Sequence, residues 1–285
     1  MSGAEAPRCL PPIALPGPLE QRLPAGTIDS HFHVFDPAAP LNTPRSYTPQ
    51  MLTLADWLVY ADRVGIDRGV LVQPSVYGLD NSVLLAALAQ APHRLRGVVV
   101  IAPETSDAEL QRLDGMGVRG VRINLRNKGG IGLDAMAALA PRIRALGWHV
   151  QFQVGPDNLA DVTALTAQYG ITGVIDHLAF LPLAAPAAAL DALSRVLDSG
   201  QVLVKISAPY RLGDTADHAG YRHVVGGLAS RHAERLLWGS DWPHTELFDT
   251  MVDDAALIAL SLAAAPSTAQ HQLFSQNATS LYWSH

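Results

Sequence analysis

Two histidines one residue apart, His31 and His33 in IDSHFHVFD (28–36), interrupt an otherwise apolar, β-rich run. Strand side chains alternate between faces, so both imidazoles are expected on one side, with Asp29 beside them. Further along stand His177 in VIDHLAF and Asp241 in LLWGSDWPH. Three imidazoles and a carboxylate are the groups needed to polarise a carbonyl and to activate a water against it. The same donors suit a divalent cation, with His31, His33 and Asp241 as ligands and zinc or manganese as the ion. Each also has a plain structural reading: a buried histidine satisfied by its neighbours, or an aspartate capping the turn after it. The case for chemistry is that four such groups would have to gather at one place.

Gathering them is the task of the elements that carry them. Strand candidates are 27–35, 68–75, 96–102, 118–124, 149–154, 171–177, 201–208 and 235–241. Amphipathic segments lie between them, several ending in glycine, a common helix stop. Eight strand–helix units with strand starts 22 to 41 residues apart predict a distorted (β/α)8 TIM barrel. An open doubly wound sheet is the competing arrangement, but no G-x-G-x-x-G follows any strand. The barrel is assigned to 27–285, preceded by a proline-rich N-terminal arm, 1–26, expected to pack on the surface.

Barrels keep their chemistry at the C-terminal ends of the strands. Those ends carry His31 and His33, then Ser75, then Arg122 with Asn124, then Gln153, His177, Ser207 and Asp241. His149 begins its strand and is expected at the far end. His244, three residues past Asp241, is a candidate for orienting it.

The formal net charge of −6 over 285 residues leaves no basic footprint for nucleic acid, and no apolar run reaches the ~20 residues of a membrane span. Cys9 is the sole cysteine, which excludes an intrachain disulfide. A soluble, cytoplasmic protein is expected, with a small anion as the partner of its local arginines and an oligomer left open.

Taken in order, IDSHFHVFD, VLVQPSVYGLDN, GVRGVRIN, LGWHV, VIDHLAF, ISAPYRL, LLWGSDWPH and NATSLYW resemble the amidohydrolase superfamily. The nearest branch contains 2-pyrone-4,6-dicarboxylate lactonase and related metal-independent lactonases. The resemblance implies a hydrolase that opens a small carboxylated lactone in aromatic or sugar acid catabolism, with no cofactor. Asp241 would be the general base, its pKa raised by burial, and His31, His33 and His177 would donate to the carbonyl oxygen. Arg122, Arg211, Ser75, Asn81 and Tyr47 match carboxylate-binding positions of the branch. Three positions depart from it: Phe180 and Lys128 stand where the branch has arginine, and Gln153 where it has tyrosine. Losing a planar, permanently charged fork points to a substrate with fewer anionic groups. A metal-dependent hydrolase or decarboxylase, a lactone isomerase and a non-catalytic small-acid binder are the alternatives.

Overall fold

The computed structural model describes residues 5–15, 19, 21–213 and 218–284. Eight parallel strands form one sheet in sequential order: β1 (Ile28–Phe32), β2 (Arg68–Val72), β3 (Leu95–Val99), β4 (Val118–Asn124), β5 (His149–Gln153), β6 (Gly173–Ile175), β7 (Val202–Lys205) and β8 (Leu236–Leu237). The strands are buried over most of their length, and polar residues such as Asp29, Ser30 and His31 in β1 and His149, Gln151 and Gln153 in β5 interrupt their apolar runs. Helices α1 (Leu54–Val64), α2 (Ser82–Gln90), α3 (Asp107–Gly115), α4 (Met136–Ala145), α5 (Leu159–Tyr169), α6 (Pro186–Leu197), α7 (Ala219–His232) and α8 (Asp254–Ala264) follow the strands in turn. The fold is a (β/α)8 barrel.

Local sequence explains the helix boundaries. α1 starts at Thr53, whose side chain and that of Asp56 form a reciprocal capping box. It stops at Gly65, which takes a left-handed φ of 89° that other residues adopt at a cost. Its apolar stripe of Leu54, Trp57, Tyr60, Ala61 and Val64 is buried against the barrel.

The barrel closes between β1 and the chain after β8. Ser30 N–H donates to the Trp238 carbonyl at 3.1 Å, Asp241 N–H to that of His31 at 2.9 Å, and His33 N–H to that of Trp242 at 2.9 Å. This seam, made of backbone bonds, sets the histidine pair beside Asp241. Gly239 fits closely against it, since a Cβ there would lie 3.0 Å from that of His31.

Every strand but β4 ends before its sequence pattern does. β6, β7 and β8 end before His177, Ser207 and Asp241, because the backbone turns left-handed just beyond them. Residues His177 to Phe180 all have φ between 50° and 56°, Ala208 has φ 52° and Asp241 φ 60°. Non-glycine residues rarely hold this conformation, and it concentrates at functional sites.

The N-terminal end of the barrel is plugged by the last helical segment, Asn277–Tyr282. Tyr282 and Ala278 pack with Ile28, Val70, Val98, Val174 and Leu237. The Tyr282 ring meets that of His149 edge-on at 5.1 Å, at the far end as expected. Most described residues of the arm lie at the surface, with Cys9, Leu15 and Leu23 as its buried anchors. Cys9 is buried with Phe35, Tyr47, Val76 and Tyr77, and Leu10 N–H donates to the Leu247 carbonyl at 2.8 Å. No helix among the described residues is long and apolar enough to cross a membrane.

Candidate active site

Asp241 stands at the centre of the mouth, almost fully buried, with its two oxygens in different surroundings. Oδ2 accepts from Tyr210 Oη at 2.6 Å and Arg211 Nε at 2.9 Å. Oδ1 faces three imidazoles: Nε2 of His31 at 3.7 Å, of His177 at 3.7 Å and of His33 at 4.0 Å. His31 and His33 approach each other more closely, Nε2 to Nε2, at 3.3 Å.

The far ring nitrogens show how each imidazole is held. His33 Nδ1 lies 2.7 Å from the Val72 carbonyl, which only accepts, so Nδ1 carries the proton. Its Nε2 is then a lone pair in the neutral ring. That corrects the expectation that all three histidines donate to a substrate oxygen. His177 Nδ1 pairs with Ser207 Oγ at 2.8 Å, and a hydroxyl can serve that nitrogen in either role. Burial is the main reason the imidazoles stay neutral. It pulls His33 down to about 3 and His177 to about 4, and carries His31 well below the usual histidine range.

Asp241 also differs from the sequence reading. Burial pushes its carboxyl up, but the adjacent Arg211 guanidinium outweighs burial and holds it well below the ordinary carboxylate range. It stands as a carboxylate at neutral pH. His244 supports this arrangement indirectly. Its Nε2 pairs with Asp254 Oδ1 at 3.0 Å and its Nδ1 with Tyr210 Oη at 3.3 Å, the same hydroxyl that donates to Asp241.

Beneath the histidines lies a buried charged layer that the sequence reading missed. Asp176 Oδ1 is 3.2 Å from His31 Nδ1 and 3.4 Å from Lys205 Nζ. Its Oδ2 accepts from Gln151 Nε2 at 3.0 Å and Arg122 Nη2 at 3.4 Å. Lys205 is fully buried; burial lowers its ammonium to about 8, with Asp176 acting against that shift. The available signal was a lysine inside the apolar run VLVKIS and an aspartate directly before His177. Asp29, expected beside the histidine rings, instead binds Ser240 through its N–H at 2.8 Å and its Oγ at 2.6 Å. A register shift between Asp29 and Phe32 breaks the strict alternation of β1.

The expected binding residues divide. Arg122 is buried, and its guanidinium is engaged by the Gln73 carbonyl, by Gln153 Oε1 and by Asp176. Gln153 also donates to Asn127 Oδ1 at 2.6 Å. Arg211 joins Asp241 to Glu246, whose carboxylate lies 3.3 Å away. Phe180 meets the His177 ring edge-on at 5.3 Å and carries the Arg126 guanidinium over its face at 3.8 Å. Tyr47 is buried, and Ser75 is buried in the turn after β2. Two candidates face elsewhere. Asn81 binds the Val100 backbone through both ends of its amide, at 2.8 and 3.1 Å, fastening α2 to the end of β3. Lys128 is exposed and anchored through its backbone N–H to Ser46 Oγ.

Above the histidines opens a cavity of about 280 Å³ lined by Arg126, Asn127, Phe180, Tyr210, Arg211 and Glu246. For a cation, the atoms that come together are those of His31, His177 and Asp241, all within 4.8 Å of one another. His177 thus replaces His33 in the expected ligand set. Their chemistry and spacing allow one divalent ion.

The comparisons agree with this geometry. The chain is 33% identical to a 4-sulfomuconolactone hydrolase of Rhizobium radiobacter, over 98% of this chain and 97% of the relative. It is also 33% identical to a 2-pyrone-4,6-dicarboxylate hydrolase of Comamonas testosteroni, over 95% and 94% of the two chains. A Pseudomonas putida structure bearing the name of a 2-pyrone-4,6-dicarboxylic acid hydrolase superposes with a TM-score of 0.80 at 33% identity, covering 91% of this chain and 98% of that one. The amidohydrolase family model matches residues 28–283. With this match spanning the whole barrel, the chain belongs to the amidohydrolase family.

Proposed function

We propose that this protein hydrolyses a small lactone bearing a single anionic group. The observation that carries the reading is the convergence of three imidazole Nε2 atoms on Asp241 Oδ1, while Oδ2 is held by Tyr210 and Arg211. A water against Oδ1 gives its proton to Asp241, and its oxygen attacks the lactone carbonyl carbon. The carbonyl electron pair moves to oxygen, where the Nε2–H of His177 stabilises it. His33, unprotonated at Nε2, holds a proton of the His31 ring or of the water. When the tetrahedral intermediate collapses, the ring C–O bond breaks and Asp241 returns its proton to the departing oxygen. A divalent cation on His31, His177 and Asp241 would supply carbonyl polarisation of its own; without one, that task falls to the imidazoles.

Charge in the cavity supports one anionic group. Arg211 is already flanked by Asp241 and Glu246, and Arg122 is engaged beneath the mouth by Asp176. Glu246 also accepts from Asn127 at 2.6 Å, so a carboxylate of the protein occupies part of the anion-binding wall. Arg126 has no salt bridge among the described residues and is the cation offered to a substrate carboxylate or sulfonate. Chelator-treated protein assayed on paired lactones with one and two acidic groups tests this. Faster turnover of the mono-anionic member is expected, whereas preference for the di-acid, or no turnover of any lactone, overturns it.

A further inference from the structure

Among the described residues, Lys205 is the lysine at the centre of the barrel, and its surroundings match its three N–H groups one for one. Nζ lies 2.8 Å from Gln151 Oε1, 3.2 Å from His31 Nδ1 and 3.4 Å from Asp176 Oδ1. Gln151 is correctly turned for this, because its Nε2 donates to Asp176 Oδ2 at 3.0 Å. A fully buried ammonium leaves no N–H without an acceptor except at high cost. His31 Nδ1 is therefore required as an acceptor, which places the His31 proton on Nε2.

The opposite face of the ring leads to the same tautomer independently. His33 Nδ1–H is fixed on the Val72 carbonyl, so His33 Nε2 is a lone pair. His31 Nε2 sits 3.3 Å from it. Two lone pairs facing each other in a dry site would repel, whereas Nε2–H of His31 makes a hydrogen bond to His33. One continuous chain results: Lys205 donates to His31, His31 to His33, and His33 to Val72. In the alternative tautomer, His31 would give Nδ1–H to Asp176 and leave both Nε2 lone pairs for a cation, the usual carboxylate–histidine–metal arrangement.

We propose that Lys205 is a positioning residue that holds His31 in its Nε2–H form and so makes the cluster a hydrogen-bonding site at the expense of a divalent-cation site. The inference deepens the imidazole-polarised reading above, but it is measured without turnover. In wild-type protein washed with chelator, long-range ¹⁵N–¹H NMR of the histidine rings should show His31 protonated at Nε2 and His33 at Nδ1. Lys205→Met removes the donor while keeping the length of the side chain. It should free the His31 proton to move to Nδ1 when zinc binds and raise zinc affinity at least tenfold, read by titration and by metal content after dialysis. Lys205→Gln retains an N–H donor and should restore the wild-type tautomer and the weaker zinc binding. His31 protonated at Nδ1 in the wild type overturns the proposal whether or not the variants fold. Equal zinc affinity in wild type and Lys205→Met overturns it as well. Failure to open any lactone would sink the lactonase reading while leaving both of these readouts in place.

Discussion

Asp241 illustrates how one carboxylate is given two jobs. Its Oδ2 is fixed by Tyr210 and Arg211, and Oδ1 is left facing the imidazoles. Asp241→Asn keeps the shape but removes the base, and kcat should fall by ~10²–10⁴ with little change in KM. Tyr210→Phe removes one donor to a charged acceptor, an interaction of about 1.5–3 kcal/mol, and should lower kcat roughly tenfold or more. Unchanged turnover in either variant would show that the carboxylate does not act on the water. At this scale the sequence was informative about identity and poor about state. The four central residues were legible because H-x-H, His177 and Asp241 all sit where strands end. The charge of Asp241 was not, because it depends on Arg211, thirty positions away. Asn81 was misread for a similar reason, since the backbone groups that satisfy its amide lie just past the end of the next strand, at Val100.

At the scale of elements, the strands were legible and their endings were not. Apolar runs mark where a ladder forms, but nothing in VIDHLAF announces four successive left-handed residues. Such a turn costs roughly 1–2 kcal/mol for each L-residue, and it swings His177 toward Asp241 while laying Phe180 under Arg126. Ala179 points its methyl into the core, so Ala179→Gly sets relief of φ strain against a small loss of packing. Its melting temperature should stay within about 2 °C of wild type, unlike most buried Ala→Gly changes. Gly239 presents the reverse case. A methyl there would press on His31 Cβ and N at 3.0 and 3.1 Å, across the closing seam. Gly239→Ala should cost about 1–3 kcal/mol and reduce kcat, because His31 moves with the seam. A Gly239→Ala protein with wild-type melting and turnover would show that the seam yields without disturbing the site.

For the whole molecule, the buried neutral histidines make stability depend on pH. His177 and His33, at about 4 and about 3, stay unprotonated in the fold across the range where unfolded histidines near 6.5 take up protons. The unfolded chain therefore binds more protons between roughly pH 6.5 and 4, and stability falls as pH falls through that window. His177 alone accounts for on the order of 3 kcal/mol. Asp29, raised to about 6 mainly by burial, acts in the opposite direction, since the fold holds its proton more tightly; it offsets less than one histidine. Urea midpoints should drop clearly between pH 7 and pH 4.5. A flat profile would mean that the imidazoles are charged in the native state.

The seam also sets a timetable. Asp29 is joined to Ser240 across 211 positions of chain, so β1 emerges from the ribosome long before its second neighbour exists. At a synthesis rate of ~5–20 residues per second, that edge waits roughly 10–40 seconds for its partner. Throughout that interval a strand with an apolar core face and an open row of amides is exposed to other nascent chains. His31 and His33 are made first, yet the environment that gives them their chemistry is among the last parts of the protein to form.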